Sequence, residues 1–221
     1  MVELMLAALV AVAGPMTNET NPDLVPLRVR VYADMQIDEG MIRPALEIAD
    51  QLLASAGLVV AWRVCDSAHS CPVEDTPAPE IVVILSSRDR QNGRENCGLA
   101  AHGARDSTGT VIVSVPCLAG VAFRLTRRAA LGTNPLLAMP RHDDLVGAIV
   151  AHEIGHLLRI RHAPSGLMRA SLEADDIIAL RRGKLRFSPA EVSRMRIAAL
   201  VAGEDRLRSS AAGSRHDPSR Q

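Results

Sequence analysis

The sequence predicts an α+β domain, a sheet of about four to five short strands with one helix buried against it. Three observations carry that expectation. Apolar residues alternate or cluster in short runs punctuated by Gly and Pro, as they do in strands. The stretch 145–158 is apolar on nearly every side apart from a few polar positions, as a buried helix is. The chain has 221 residues, 48% of them hydrophobic, enough to fill one core.

Taken in order, residues 1–14 have the outline of a secretory signal. Leu4 to Ala13 is an apolar run too short to span a bilayer, and Ala11-Val12-Ala13 has the small-x-small form of a cleavage site. The segment carries Glu3 and no Lys or Arg, so the competing reading is an ordinary N-terminal segment. Residues 15–26, with Pro15, Pro22 and Pro26, read as a linker, and residues 27–202 as the folded domain. Leu27 to Ala33 alternates as a strand. Glu39 to Ala56 reads as a helix that Gly57 stops. Leu58 to Cys65, with the single tryptophan Trp62, and Glu80 to Ser86 are the next strands. Residues 87–109 form a polar, Gly-containing loop, in which Gly98-Leu99-Ala100-Ala101 is the candidate for an edge strand. Thr110 to Val115 is a strand ended by Pro116, residues 117–131 read as helical, and 132–141 as a loop with Gly132, Pro135 and Pro140. The buried helix follows, with Asp143 or Asp144 as its cap. Beyond it, Leu172 to Arg182 is a short helix. Ser188, Pro189 and Glu191 open a last one that runs to about Val201. Residues 203–221 are polar and charged, the composition of a disordered tail.

Formal net charge is zero, which gives no electrostatic case for nucleic acid as a partner. Aromatics are only 2%, so the core is built of Ala, Val, Leu and Ile. Four cysteines stand at 65, 71, 97 and 117, an even number that fits two disulfides in an exported protein. Three pairings are possible; 65–71 with 97–117 is preferred because the first pair is local. The competing reading is four buried thiols in a cytosolic protein. With the signal-like start, the disulfide reading expects a secreted or periplasmic protein.

The chemistry is concentrated in the buried helix, which carries His152-Glu153-Ile154-Gly155-His156, with His162 six residues further on. Residues four apart lie on one helical face about one turn apart, so both imidazoles can reach one metal ion, zinc being the usual one. Glu153 is turned about 100° from His152 and flanks the metal, where a general base for a metal-activated water belongs. Left without partners, each of these polar groups would cost roughly 1–3 kcal/mol in an apolar helix. Were the helix to continue, His162 would lie about 9 Å beyond His156 and about 240° round the axis, out of reach of the same metal. A third ligand at His162 therefore requires the helix to end near Leu158 or Arg159 and the chain to fold back. Pro164 and Gly166 allow this. The rival third ligand is a carboxylate of Glu173, Asp175 or Asp176.

From His152 to Met168 the sequence resembles the metzincin zinc peptidases, whose pattern is H-E-x-x-H-x-x-G-x-x-H followed by a Met-turn. The segment His162-Ala163-Pro164-Ser165-Gly166-Leu167-Met168 is also similar to short zinc peptidases predicted to be exported by bacteria. The resemblance implies a metzincin-like (zincin) catalytic domain, with a mixed sheet of about four to five strands and a buried active-site helix. It implies Zn2+ on His152, His156 and His162, Glu153 as general base, and Met168 as the hydrophobic floor. The activity implied is endopeptidase cleavage of a peptide or protein substrate. Arg159 departs from the pattern, standing where the family has its glycine. The alternatives are a zinc-binding protein of the same fold without peptidase activity, and a zinc peptidase with an acidic third ligand.

Overall fold

The computed structural model describes residues 24–66, 71, 78–88, 97–103, 109–129 and 140–213. The signal-like segment, most of the linker and most of the 132–141 loop lie outside them. In chain order the elements are β1 (Val25–Ala33), α1 (Glu39–Ala54), β2 (Leu58–Cys65), β3 (Glu80–Ser86), β4 (Gly98–His102), β5 (Gly109–Ser114), α2 (Val115–Ala129), α3 (His142–Leu157), α4 (Ala174–Arg181) and α5 (Pro189–Gly213). The five strands form one mixed sheet in the order β2-β1-β3-β5-β4. All neighbours are parallel except β4, which lies antiparallel to β5 at the edge. The architecture is the α+β class that the sequence predicts.

Alternation along the strands decides which face is covered. Leu27, Val29, Val31, Ile81, Val83, Leu85, Val111 and Val113 are buried. Their register puts them in rows on one face, under α1 and α3. Trp62 of β2 joins that face and donates its indole N–H to Asp50 of α1 at 3.0 Å. The two helices approach closely because residue 147 is glycine: a Cβ there would stand 2.4 Å from the Ala45 carbonyl oxygen. On the opposite face the buried carboxylate of Glu80, only 2% exposed, is neutralised by Arg30 at 2.6 Å and Arg206 at 3.1 Å.

Boundaries shift by a residue or two at several elements, as at α1, which ends at Ala54, and α4, which begins at Ala174; three differences have a physical reason. β1 begins at Val25, not Leu27, because the Val25 amide bonds the Gly57 carbonyl at 3.0 Å, while Pro26, lacking an N–H, sits at the strand's start where that loss is tolerated. The strand before Pro116 ends at Ser114, and α2 begins at Val115 with the proline in its first turn. α5 runs past Val201 to Gly213, so residues 203–213 are helical where disorder was expected. Arg206 supplies the reason, since its pairing with Glu80 anchors this polar stretch to the sheet. Disulfides join Cys65 to Cys71 and Cys97 to Cys117, the expected pairing. No helix among the described residues is long and apolar enough to cross a membrane.

Candidate metal centre

α3 carries the site. Its first turn is not capped by an aspartate side chain as expected, since Arg141 holds the cap position. Asp144, one turn in, reaches back instead and accepts the Arg141 backbone N–H at 3.1 Å. The helix is buried through Leu157, with His152 6% and Glu153 7% exposed.

The helix then stops where the fold-back requires. Arg159 N–H bonds the His156 carbonyl and Ile160 N–H the Gly155 carbonyl, both at 3.0 Å, the paired bonds of a Schellman close. Arg159 adopts the left-handed conformation at φ 66°, where glycine is the usual residue. Ile160, 3% exposed, pins the far side of the turn in the core.

The chain returns and sets His162 beside the other two. The ligand-capable ring nitrogens of His152, His156 and His162 lie within 4.8 Å of one another, and this is the only such group of three or more His, Cys, Asp or Glu among the described residues. His152 Nδ1 lies 2.8 Å from the Leu167 carbonyl and His156 Nδ1 2.7 Å from the Ile160 carbonyl. A carbonyl only accepts, so both Nδ1 atoms carry the proton, and the neutral tautomer this selects leaves Nε2 as the ligand atom of each ring. His156 Nε2 and His162 Nε2 are 3.0 Å apart. Burial pushes His152 down to about 4, against the opposing Leu167 hydrogen bond. Burial, and then His156, lower His162 as well. Burial pushes Glu153 up to about 7, opposed by a hydrogen bond from the Ala100 amide.

The segment beneath is a tight loop. Ala163 N–H bonds the Met168 carbonyl at 2.8 Å, Arg169 N–H the Gly166 carbonyl at 3.2 Å, and Gly166 supplies φ 80°. Met168 is fully buried against Gly155, where a Cβ would stand 2.7 Å from its sulfur. Two of the three rival acids are otherwise engaged. Glu173 pairs with Arg169 at 2.9 Å, and Asp176 accepts the Glu173 N–H at 2.9 Å to start α4. Asp175 lies exposed in the first turn of the same helix.

The site opens into a cavity of about 490 Å³ walled by Leu118, Val121 and Leu125 of α2, Leu145 and Ile149 of α3, and β4. β4 is the edge strand, at the position expected for Gly98 to Ala101. The Ser114 N–H bond to the Cys97 carbonyl sets its register. Leu99 and Ala101 therefore bond β5, while Gly98, Ala100 and His102 turn their backbone groups to the open edge. Sequence reasoning missed that Glu153 meets this strand, and missed the two carbonyls that orient His152 and His156. These are contacts between distant segments with no local signal.

The donor set suits a metal such as zinc. Tetrahedral ligation at about 2.0–2.1 Å places ligand nitrogens roughly 3.3 Å apart, the scale of this cluster. Two of the rings already have the outer hydrogen bond that zinc-bound histidines make.

No family model matches the chain, and no curated protein matches it. Among solved structures, metalloproteinase-II from Bacteroides fragilis superposes with a TM-score of 0.45 at 13% identity, over 79% of this chain and 53% of that one, so the chain spans about half its length. Archaemetzincin from Methanopyrus kandleri gives 0.44 at 14% identity, over 80% of this chain and 97% of that one. What the site can do rests on its own geometry.

Proposed function

We propose that this protein is a zinc-dependent metalloendopeptidase that acts outside the cytoplasm. The observation that carries the proposal is the convergence of His152, His156 and His162 beside a buried Glu153 that has no ion pair among the described residues. His152, His156 and His162 would hold the metal, and Met168 would give the pocket its apolar floor. Zinc, when bound there, supplies a Lewis acid and lowers the pKa of a coordinated water to about 7. Glu153 takes the proton from the attacking water and delivers it to the leaving amine. The Leu167 and Ile160 carbonyls keep the rings of His152 and His156 in one tautomer and one orientation throughout. An extended peptide would add to the sheet at the edge of β4, pairing with its outward backbone groups other than the Ala100 N–H, which Glu153 takes. The two disulfides support a secreted or periplasmic setting.

The competing reading, a zinc-binding protein without peptidase activity, leaves a buried carboxyl beside the cluster with nothing to do. The test is zinc content together with cleavage of an unfolded protein, before chelation, after it, and after zinc is restored. One zinc per chain and cleavage that follows the metal are expected. Protein refolded with zinc that holds no transition metal would overturn the reading.

A further inference from the structure

Where edge strand β4 crosses α3, the backbone of Gly98 lies directly over the Glu153 carboxyl. A Cβ at residue 98 would stand 2.3 Å from Oε1 and 2.7 Å from both Cγ and Cδ of Glu153. Such distances exclude any side chain unless the strand, the helix or the carboxyl moves. The strand is held along Gly98 to His102 by β5, and at its start by the Cys97–Cys117 disulfide to the first turn of α2. The helix is held as well. Leu157 packs on Gly109 of β5, where a Cβ would stand 2.6 Å from its methyl carbons, and Gly147 lies against the Ala45 carbonyl. Of the three, the carboxyl is the softest. Its place depends on the missing side chain at 98 and on the Ala100 amide that hydrogen-bonds it.

We infer that Gly98 is a positioning residue for hydrolysis. The space at its α-carbon, between a pinned strand and a pinned helix, fixes the orientation of the Glu153 carboxylate in the cavity it shares with the three imidazoles. The inference rests on the general-base role proposed for Glu153. Gly98 touches neither the imidazoles nor their orienting carbonyls in any contact within 4 Å that its Cβ would make first, since the nearest three atoms all belong to Glu153. A side chain at 98 should therefore disturb the base before it reaches the metal ligands.

The experiment compares Gly98→Ala, Glu153→Asp and the double variant, with Glu153→Gln as control. Zinc stoichiometry, kcat and KM are measured on one peptide. Gly98→Ala keeps one zinc per chain and nearly unchanged KM while kcat falls about 10²-fold, the scale of a 1 Å misplacement. Glu153→Asp draws the carboxyl back by one methylene but keeps a carbon at the γ position, so relief is partial, and the double variant retains more activity than the product of the two single retained fractions. Thermal melts give a readout without turnover: Gly98→Ala lowers Tm in the native background and not in Glu153→Ala. Should Gly98→Ala fail to fold, recovery of folding by Glu153→Ala carries the same meaning. Undiminished kcat, losses that simply multiply, loss of zinc with Gly98→Ala, or no relief by Glu153→Ala each overturn the inference. Full activity in Glu153→Gln overturns the peptidase reading instead, whatever Gly98 does.

Discussion

The two ends of α3 handle buried polar groups in opposite ways. At its start, Asp143 and Asp144 are 7% and 8% exposed, and each meets a cation. Arg141 donates to Asp143 at 3.1 Å, and Arg181 pairs with Asp144 at 3.0 Å. At its end, three imidazoles converge on one another and Glu153 lies buried without an ion pair among the described residues. The first arrangement is closed: its charges cancel within the protein. The second is open: three ring nitrogens converge within 4.8 Å, and a metal ion could complete the set. The same helix thus separates burial whose charges are matched within the protein from burial that leaves a cluster able to hold a ligand.

That contrast can be broken at several points. The largest effect is expected at Glu153: Glu153→Gln keeps zinc and loses roughly 10²–10⁴-fold in hydrolysis. Undiminished cleavage by this variant would remove the chemical distinction between the two ends. Next comes linkage to the metal. Zinc at a hundred times its Kd should stabilise the protein by about 2.7 kcal/mol. His156→Ala should abolish the zinc-induced rise in Tm; a rise that survives it would place the metal elsewhere. At the opposite end, Asp144→Ala removes the acceptor of the Arg141 amide and one partner of Arg181, and should cost roughly 1–3 kcal/mol in denaturant unfolding, with zinc stoichiometry unchanged. Zinc lost in that variant would show that the two ends are not independent. The smallest effect is at Arg159. Arg159→Gly relieves the left-handed backbone at φ 66° and should gain about 1 kcal/mol, offset in part by glycine's chain entropy. A loss of stability there would mean that the arginine side chain does more than tolerate the turn.

Much of this was legible in the residues because it is local. The spacing of His152 and His156 fixes their shared face, and Pro164 with Gly166 forbids a long helix, so the fold-back of His162 could be stated as a requirement. Ser188 and Glu191 announced the start of α5, where they bond each other's backbone at 3.4 and 2.6 Å. What escaped is non-local. The end of α5 depends on Arg206 meeting Glu80, and the setting of Glu153 depends on Gly98. Nothing in the sequence near Gly98 marks it as the neighbour of a carboxyl; only the register of β4 on β5 and the crossing of α3 bring the two together. At Arg159 the Schellman bonds and the buried Ile160 impose a turn that the residue's own preference opposes.

The Cys97–Cys117 crosslink has a further consequence, for how the edge of the sheet opens. An edge strand with one neighbour ordinarily frays at little cost, its amides exchanging with solvent through local unfolding. β4 is such a strand, but its start is bonded to α2 across a separation of 20 residues. Closing a loop of that length removes about 3 kcal/mol of chain freedom from opened states. The amides of Leu99 and Ala101 should therefore exchange nearly as slowly as those of the central strands, and speed up selectively once the disulfide is reduced. Equal exchange before and after reduction would mean that pairing with β5 alone keeps the edge closed. In an oxidising compartment, the strand that meets Glu153 would then be part of the slowest-opening unit of the fold.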